Sequence, residues 1–324
     1  MMKMPDILTV KEYSLELKRN GRGYSVIVSA DLYIREGEIV GLIGESGSGK
    51  SMLWKSMLGL AAPSRWRSSG TVMLNGTDIS GPGEARRSGL RGGDAAVILQ
   101  DPANSFDPVF TIERHFIETA KAHKEWSTGE IRAKATELLR RMDIRNPEQV
   151  LKMYPFQCSG GMLQRIMIAM TVMLDPPLII ADEPTSSVDV TVQREIVSIL
   201  KEINREKGTS ILCISHDLKI VENIANRIYV MYAGYLIESF PSKVLRDGKV
   251  RHPYTKKLLR SRPSYTKGYL PAMEGNPPVL AERQGGCPFS PRCEYAQDGC
   301  RSFDMSETAA GGDHMVRCCR LKEL

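Results

Sequence analysis

Eight consecutive residues, Gly44-Glu45-Ser46-Gly47-Ser48-Gly49-Lys50-Ser51, fit the phosphate-loop pattern G-x-x-x-x-G-K-S/T. Glycines at these places let backbone N–H groups turn inward around a β-phosphate. A helix starting near Lys50 adds positive potential, the Lys50 ammonium reaches the β- and γ-phosphates, and the Ser51 hydroxyl is offered to Mg2+. Further on, the four apolar residues Leu178 to Ala181 precede Asp182-Glu183. A strand ending this way resembles the second nucleotide motif, in which two carboxylates have different work: Asp182 would sit in the Mg2+ shell, and Glu183 is the candidate general base that polarises the attacking water. Taken singly, an apolar strand ending in Asp-Glu is commonplace. Ser159-Gly160-Gly161 before an apolar helix reads equally well as an N-cap with flexible glycines, and His216 after a strand as a structural histidine.

The apolar pattern shows what must position these groups. Glu38 to Glu45, Thr71 to Gly76, Ala95 to Gln100, Pro177 to Glu183 and Thr209 to His216 are short apolar runs bounded by Gly, Pro or polar residues, as in buried strands. From Thr111 to Met142 the period turns helical, with a capping box at Ser127 to Glu130 and apolar positions at Ile131, Leu138 and Leu139. Asp189 is placed to cap a helix whose stripe is Val192, Ile196, Leu200 and Ile203. This alternation implies a mostly parallel sheet with crossover helices. Two more strands, RIYVMYAG and YLIESF, lead into a basic helical piece and then a Pro- and Gly-rich linker from Arg262 to Pro291, so the domain boundary is expected near residue 245.

At 324 residues, 42% hydrophobic and 25% charged, the chain has the usual globular mix and can bury a substantial core. Its longest apolar run, Ile166 to Leu174, is about half the length a bilayer span needs. The N-terminal stretch alternates polar and apolar residues without the apolar core of a secretory signal, so a cytoplasmic protein is expected. The formal charge is +6, and Lys243 to Lys267 alone holds nine Lys or Arg against Asp247, a local +8. With only Tyr254 and Tyr265 interleaved, this is no nucleic-acid stripe; it reads as a solvated helix face attracted to anionic headgroups or an acidic partner.

Cys158-Ser159-Gly160-Gly161-Met162-Leu163-Gln164-Arg165 closely resembles the signature motif of ABC-transporter ATPases. The resemblance implies that Ser159, Gly160 and Gly161 bind the γ-phosphate of an ATP held by an opposite subunit, so that hydrolysis needs a head-to-tail dimer. Gln100 in LQDPANSFDP is similar to the family's glutamine loop, which touches Mg2+ and the attacking water. Ser186-Ser187-Val188-Asp189 is similar to the loop joining the two active sites, and His216 in ISHD to the switch histidine on the γ-phosphate. Two positions depart from the common signature: Cys158 stands where leucine is usual and Met162 where glutamine is. For the aromatic that stacks on adenine, Tyr24 is the candidate, with Tyr13 and an ordinary strand-packing role competing.

The resemblance runs from about residue 7 to the C-terminus and is closest to the ATPases of peptide and nickel importers. GGMLQR looks more like nickel and metallophore uptake subunits, whereas EGNPPVL and GCPFSPRC look like dipeptide and oligopeptide ones; the cargo stays open between them. The implied fold is α/β, a P-loop NTPase of the ABC type with a mostly parallel sheet and an antiparallel β piece. A helical subdomain over about 104–166 and a C-terminal extension over 246–324 complete it. The implied partners are a second, related ATPase subunit, two integral-membrane permeases and an extracytoplasmic substrate-binding protein, with the chain on the cytoplasmic face of the membrane. A soluble ABC ATPase acting on ribosomes or nucleic acid is the alternative. It lacks support, since the chain has neither a second cassette nor a heptad run in the 130 residues between Ser51 and Asp182.

Cys287, Cys293, Cys300 and Cys318 are separated by five, six and seventeen residues, like the tail of peptide-importer ATPases that holds an iron–sulfur cluster. Four thiolates suit a 4Fe–4S cluster or tetrahedral zinc, and plain reduced thiols are the third reading. Cys319, next to Cys318, is expected to be a bystander. With few apolar residues of its own, the tail is expected to be ordered by its metal.

Overall fold

The computed structural model describes residues 5–80, 89–186, 188–261, 273–280, 285–306, 309–311 and 313–321. Ser187 and half of the expected linker, residues 262–272 and 281–284, lie outside the described residues. The chain divides into two compact units, one made of Met1–Pro5, Arg35–Glu38 and Ala85–Cys213, the other of Asp6–Ile34, Ile39–Glu84 and Ile214–Leu324.

In the first unit the strands Ala95–Ile98 and Leu178–Asp182 pair in parallel, Ala95 opposite Leu178 through Ile98 opposite Ala181. The strand Ser210–Ile214 lies on the other side of Leu178–Asp182, and both are buried along their whole length, as strands covered on both faces must be. Helices Ile112–Lys121, Thr128–Arg141 and Gly160–Met173 bury Phe116, Ile131, Leu138, Leu139, Ile166 and Met173. The capping box is present: Ser127 N donates to Glu130 Oε2 at 2.7 Å and Glu130 N to Ser127 Oγ at 3.2 Å. The helix Val190–Lys207 buries Ile196, Leu200 and Ile203 as its stripe requires and ends in left-handed Gly208.

In the second unit Ile39–Ile43 pairs in parallel with Arg227–Tyr232, which pairs antiparallel with Tyr235–Pro241. A separate four-stranded sheet contains two 14-residue strands, Asp6–Arg19 and Arg22–Arg35, with Asp6–Arg19 antiparallel to Trp66–Leu74. These are the antiparallel piece, and they begin well upstream of the expected strands. The pairing breaks at a bulge between Lys11 and Ser14, where Glu12 takes φ +49°. Opposite, Gly70 at φ +91° would place a Cβ 2.5 Å from the Glu12 carbonyl oxygen, so only glycine fits.

The tail is part of this unit's core. The strand His314–Val316 pairs antiparallel with Tyr235–Pro241, placing Val316 opposite Glu238. Phe289 and Val316 are fully buried, Phe289 in a cluster with Tyr232, Phe240, Tyr254 and Met305. The expectation that metal alone orders the tail is corrected here: its apolar residues find a core in the sheet that precedes them. Among the described residues no helix is long and apolar enough to cross a membrane.

Candidate active site

The phosphate loop follows the buried strand Ile39–Ile43 and runs into the helix Lys50–Met57, as its pattern demands. Gly44, at φ +154°, would place a Cβ 2.1 Å from the Met231 carbonyl oxygen, and Gly49, at φ +111°, one 3.0 Å from Ile27 Cδ1. Any side chain at either place pushes the loop off the strand beneath it. The Lys50 ammonium is buried and donates to the Gly44 carbonyl at 2.8 Å and the Glu45 carbonyl at 3.0 Å, so it already points along the loop. Ser46 and Gly47 are exposed, Ser51 is half-buried, and the buried Ser48 hydroxyl finds no hydrogen-bond partner among the described residues. Glu45 donates its N–H to the Tyr254 hydroxyl at 2.9 Å.

Tyr24 is half-buried on the strand Arg22–Arg35, two and three residues before Val26 and Ile27, and the Ile27 methyl borders Gly49. Tyr13 is 3% exposed, its ring inside the core and unavailable to a base. Beyond Ile214, His216 is exposed in the turn before the helix Leu218–Ile224. Asp217 N donates to Ser215 Oγ at 3.0 Å, and Asp217 Oδ1 accepts from Lys219 N at 2.8 Å, fixing the turn on both sides of the imidazole.

The other unit carries the remaining candidates. Asp182 ends its strand and is buried, and Glu183 follows at φ +50°, a left-handed conformation that costs a non-glycine residue about 1–3 kcal/mol. The Ser186 N–H and hydroxyl donate to the Glu183 carbonyl at 3.2 and 3.1 Å and hold it there. Burial, then the charge of Glu183, pushes the Cys213 thiol up to about 12. Gln100 is exposed just beyond Ala95–Ile98, and Leu99 N donates to Met167 Sδ at 3.2 Å, anchoring its loop to the helix behind. Ser159 caps the helix Gly160–Met173, its Oγ accepting from Met162 N at 3.3 Å, and Ser159 and Gly160 are exposed there. Asp189 caps the next helix through Thr191 N and Val192 N at 2.9 and 3.1 Å.

Cys287, Cys293, Cys300 and Cys318 line one small cavity, together with His252 and Phe289. Cys319 lines it too, with its thiol 3.4 Å from Cys300 Sγ. Among the described residues, no three or more His, Cys, Asp or Glu are arranged to hold a metal ion. Burial, with the neighbouring thiols adding to it, pushes Cys287 up to about 12, and burial raises Cys293 and Cys318 as well. Sequence reasoning missed Arg292 of GCPFSPRC, whose guanidinium is buried against Glu45.

Residues 28–186 match the family model for ABC transporters, and residues 242–300 match the one described as the oligopeptide/dipeptide transporter C-terminal region. The chain is 36% identical over 315 residues to the dipeptide transport ATP-binding protein DppD of Haemophilus influenzae, covering 96% of this chain and 94% of that one. The Escherichia coli protein of the same name is equally similar, at 36% over 96% of both chains. Among solved structures, a dimeric ATP-binding cassette in a post-hydrolysis state with ADP and phosphate aligns at a TM-score of 0.65 and 24% identity, over 72% of this chain and 98% of that one. That likeness carries the fold.

Proposed function

Since the chain belongs to the ATP-binding subunits of ABC transporters, sharing 36% identity with DppD over 96% of its length, we propose that it energises uptake of dipeptides or oligopeptides. The observation that carries the cargo class is the match of residues 242–300 to the oligopeptide/dipeptide transporter C-terminal region, joined in one chain to an ATPase cassette. Nickel and metal chelates lack such support among these relatives. The partners are two membrane permeases, an extracytoplasmic binding protein and a second ATPase subunit; the chain itself sits peripherally on the cytoplasmic face. Residues 1–245 form the nucleotide-binding domain and 246–324 the extension.

The reaction is ATP plus water to ADP and phosphate. In this reading the backbone N–H groups from Gly44 to Ser51 wrap the β-phosphate, and Lys50 leaves its loop carbonyls for the β- and γ-phosphates. Tyr24 stacks on the adenine. Ser51, Gln100 and Asp182 would hold Mg2+, which would offset charge on the phosphates. Glu183 takes the proton of the attacking water while His216 and Gln100 orient the γ-phosphate and that water. Ser159, Gly160, Gly161 and Asp189 complete the site of the opposing subunit.

The tail's thiols support an iron–sulfur cluster by their chemistry, because soft ligands gather on one cavity. Among the described residues no three or more His, Cys, Asp or Glu are arranged to hold a metal ion, so this reading rests on the thiols' chemistry alone, with tetrahedral zinc and plain reduced thiols as its alternatives. Cys287, Cys293, Cys300 and Cys318 would hold it, with Cys319 beside Cys300. A cluster there would supply a rigid cross-link or an electron-transfer group.

Purified importer in liposomes tests the cargo. Binding protein loaded with a dipeptide is expected to raise ATP hydrolysis several-fold; stimulation by a nickel-loaded binding protein and none by peptides would refute the peptide reading.

A further inference from the structure

In the motif Gly286-Cys287-Pro288-Phe289-Ser290-Pro291-Arg292-Cys293 the metal reading uses only the two cysteines and leaves Arg292 without a task. The Arg292 side chain is only 5% exposed, and it grips the phosphate loop. Its Nη1 donates to Glu45 Oε2 at 2.8 Å and its Nη2 to Glu45 Oε1 at 3.0 Å, a bidentate fork. Nη1 also donates to the Tyr232 hydroxyl at 3.2 Å, and Nε to the Glu274 carbonyl at 3.0 Å. The backbone of Arg292 is held as firmly: its N–H donates to the Phe289 carbonyl at 2.9 Å, and its carbonyl accepts from Lys257 Nζ at 2.8 Å. Phe289 is wedged against Tyr232 and Tyr254 with ring centroids 5.3 and 5.4 Å away. Tyr254 in turn accepts the Glu45 N–H. Both polar handles of Glu45, amide and carboxylate, are therefore tied to the C-terminal extension.

A free carboxylate in a loop built to hold a triphosphate opposes its ligand by like-charge repulsion. The carbonyls of Gly44 and Glu45 also hold Lys50, so the loop's shape and the direction of its ammonium depend on where Glu45 is fixed. We propose that Arg292 is a positioning residue of the nucleotide site: pairing with Glu45, it neutralises the acidic side chain of the phosphate loop and fixes the loop, so that ATP affinity depends on the seating of the cysteine-bearing tail. The inference rests on the phosphate loop being the ATP site. Cys293, the next residue, lines the thiol cavity, so a change that reshapes the cavity moves Arg292 with it.

Titration of the full-length chain with a fluorescent ATP analogue and Mg2+ tests the pair. Arg292→Gln is expected to weaken binding about ten-fold, the loss of a charge-assisted bond that leaves a carboxylate unpaired. Adding Glu45→Gln removes that carboxylate and should return affinity to within about three-fold of wild type, because the two sites act as one unit. A loss that persists undiminished in the double variant overturns the proposal, as does unchanged affinity in Arg292→Gln. Arg292→Lys, which keeps the charge without the fork, should fall between the two and guards against a merely unfolded tail. In the assembled importer, KM for ATP should rise with kcat little changed; a fall in kcat at constant KM refutes the positioning role. Lys50→Ala separates the premise from the inference: wild-type binding in that variant would strike the loop assignment itself, whatever Arg292 does.

Discussion

Arg165 Nη2 lies 2.7 Å from Glu195 Oε2, an ion pair that bridges the helices Gly160–Met173 and Val190–Lys207. Each of those helices starts with a capping residue, Ser159 on one and Asp189 on the other, that the ABC assignment places against an opposing subunit. The helices approach closely near these ends, where a Cβ on Gly161 would stand 3.3 Å from Val192 Cγ1. The spacing of the two caps is therefore set by a glycine contact and an ion pair one turn further in.

Arg165→Met should separate that spacing from overall stability. Glu195 is 44% exposed, so losing the pair is expected to cost only about 1 kcal/mol in denaturant unfolding. Hydrolysis by the assembled importer should fall about ten-fold, since misplacing groups that meet a transition state costs rate even when folding is intact. Full activity in this variant would show that the caps are held by something else.

Glu183→Gln tests the general base. The amide keeps the buried shape at φ +50° and leaves the Ser186 bonds to the Glu183 carbonyl, but it cannot take a proton. Turnover is expected to fall by about a hundred-fold or more while ATP affinity stays within about two-fold. Normal turnover in the purified complex would remove Glu183 from the mechanism.

The elements carrying chemistry were legible because their constraints are local. The loop pattern dictates a strand, tight glycines and a helix; the Ser127 to Glu130 box and the Asp189 cap are short-range hydrogen bonds that sequence spacing can announce. The strands Asp6–Arg19 and Arg22–Arg35 were not: the N-terminal alternation of polar and apolar residues is a strand signal, but the bulge at Glu12 breaks its period. The seating of the tail was hidden for a different reason. Arg292 and Glu45 stand 247 residues apart, and nothing in a local window links a guanidinium to a distant loop. Setting Tyr13 aside likewise needed burial, since both rings sit at workable distances upstream of the loop.

Because Ser159 and Gly161 serve a neighbouring site in this assignment, the isolated chain is expected to hydrolyse ATP feebly. Turnover per molecule should rise with concentration and on adding the partner ATPase. Measured by phosphate release across a dilution series, with mass monitored by light scattering, constant turnover down to a proven monomer would sink the cross-subunit arrangement.

The tail offers a prediction in which packing and metal can be told apart. Val316 and Phe289 are fully buried and His314–Val316 is hydrogen-bonded to Tyr235–Pro241, so the extension should remain folded when its cysteines are bare. Burial pushes the Cys287 thiol up to about 12 and raises Cys293 and Cys318, so at neutral pH these groups are protonated in the metal-free chain. Only thiolates bind iron, so loading must expel protons, and iron uptake should strengthen as pH rises toward the thiol pKa values. Anaerobically purified protein is expected to be brown, with broad absorbance near about 400 nm from thiolate-to-iron charge transfer. Cys293→Ser should bleach it while leaving far-UV circular dichroism nearly unchanged. Reconstitution of the bare protein with iron and sulfide should acidify a weakly buffered solution, and less so at higher pH, where more thiolate is already present. Protein that is colourless and free of iron and zinc by elemental analysis after anaerobic preparation would rule the site out; collapse of the tail's secondary structure in Cys293→Ser would instead show that metal, and not the burial of Phe289 and Val316, holds it in place.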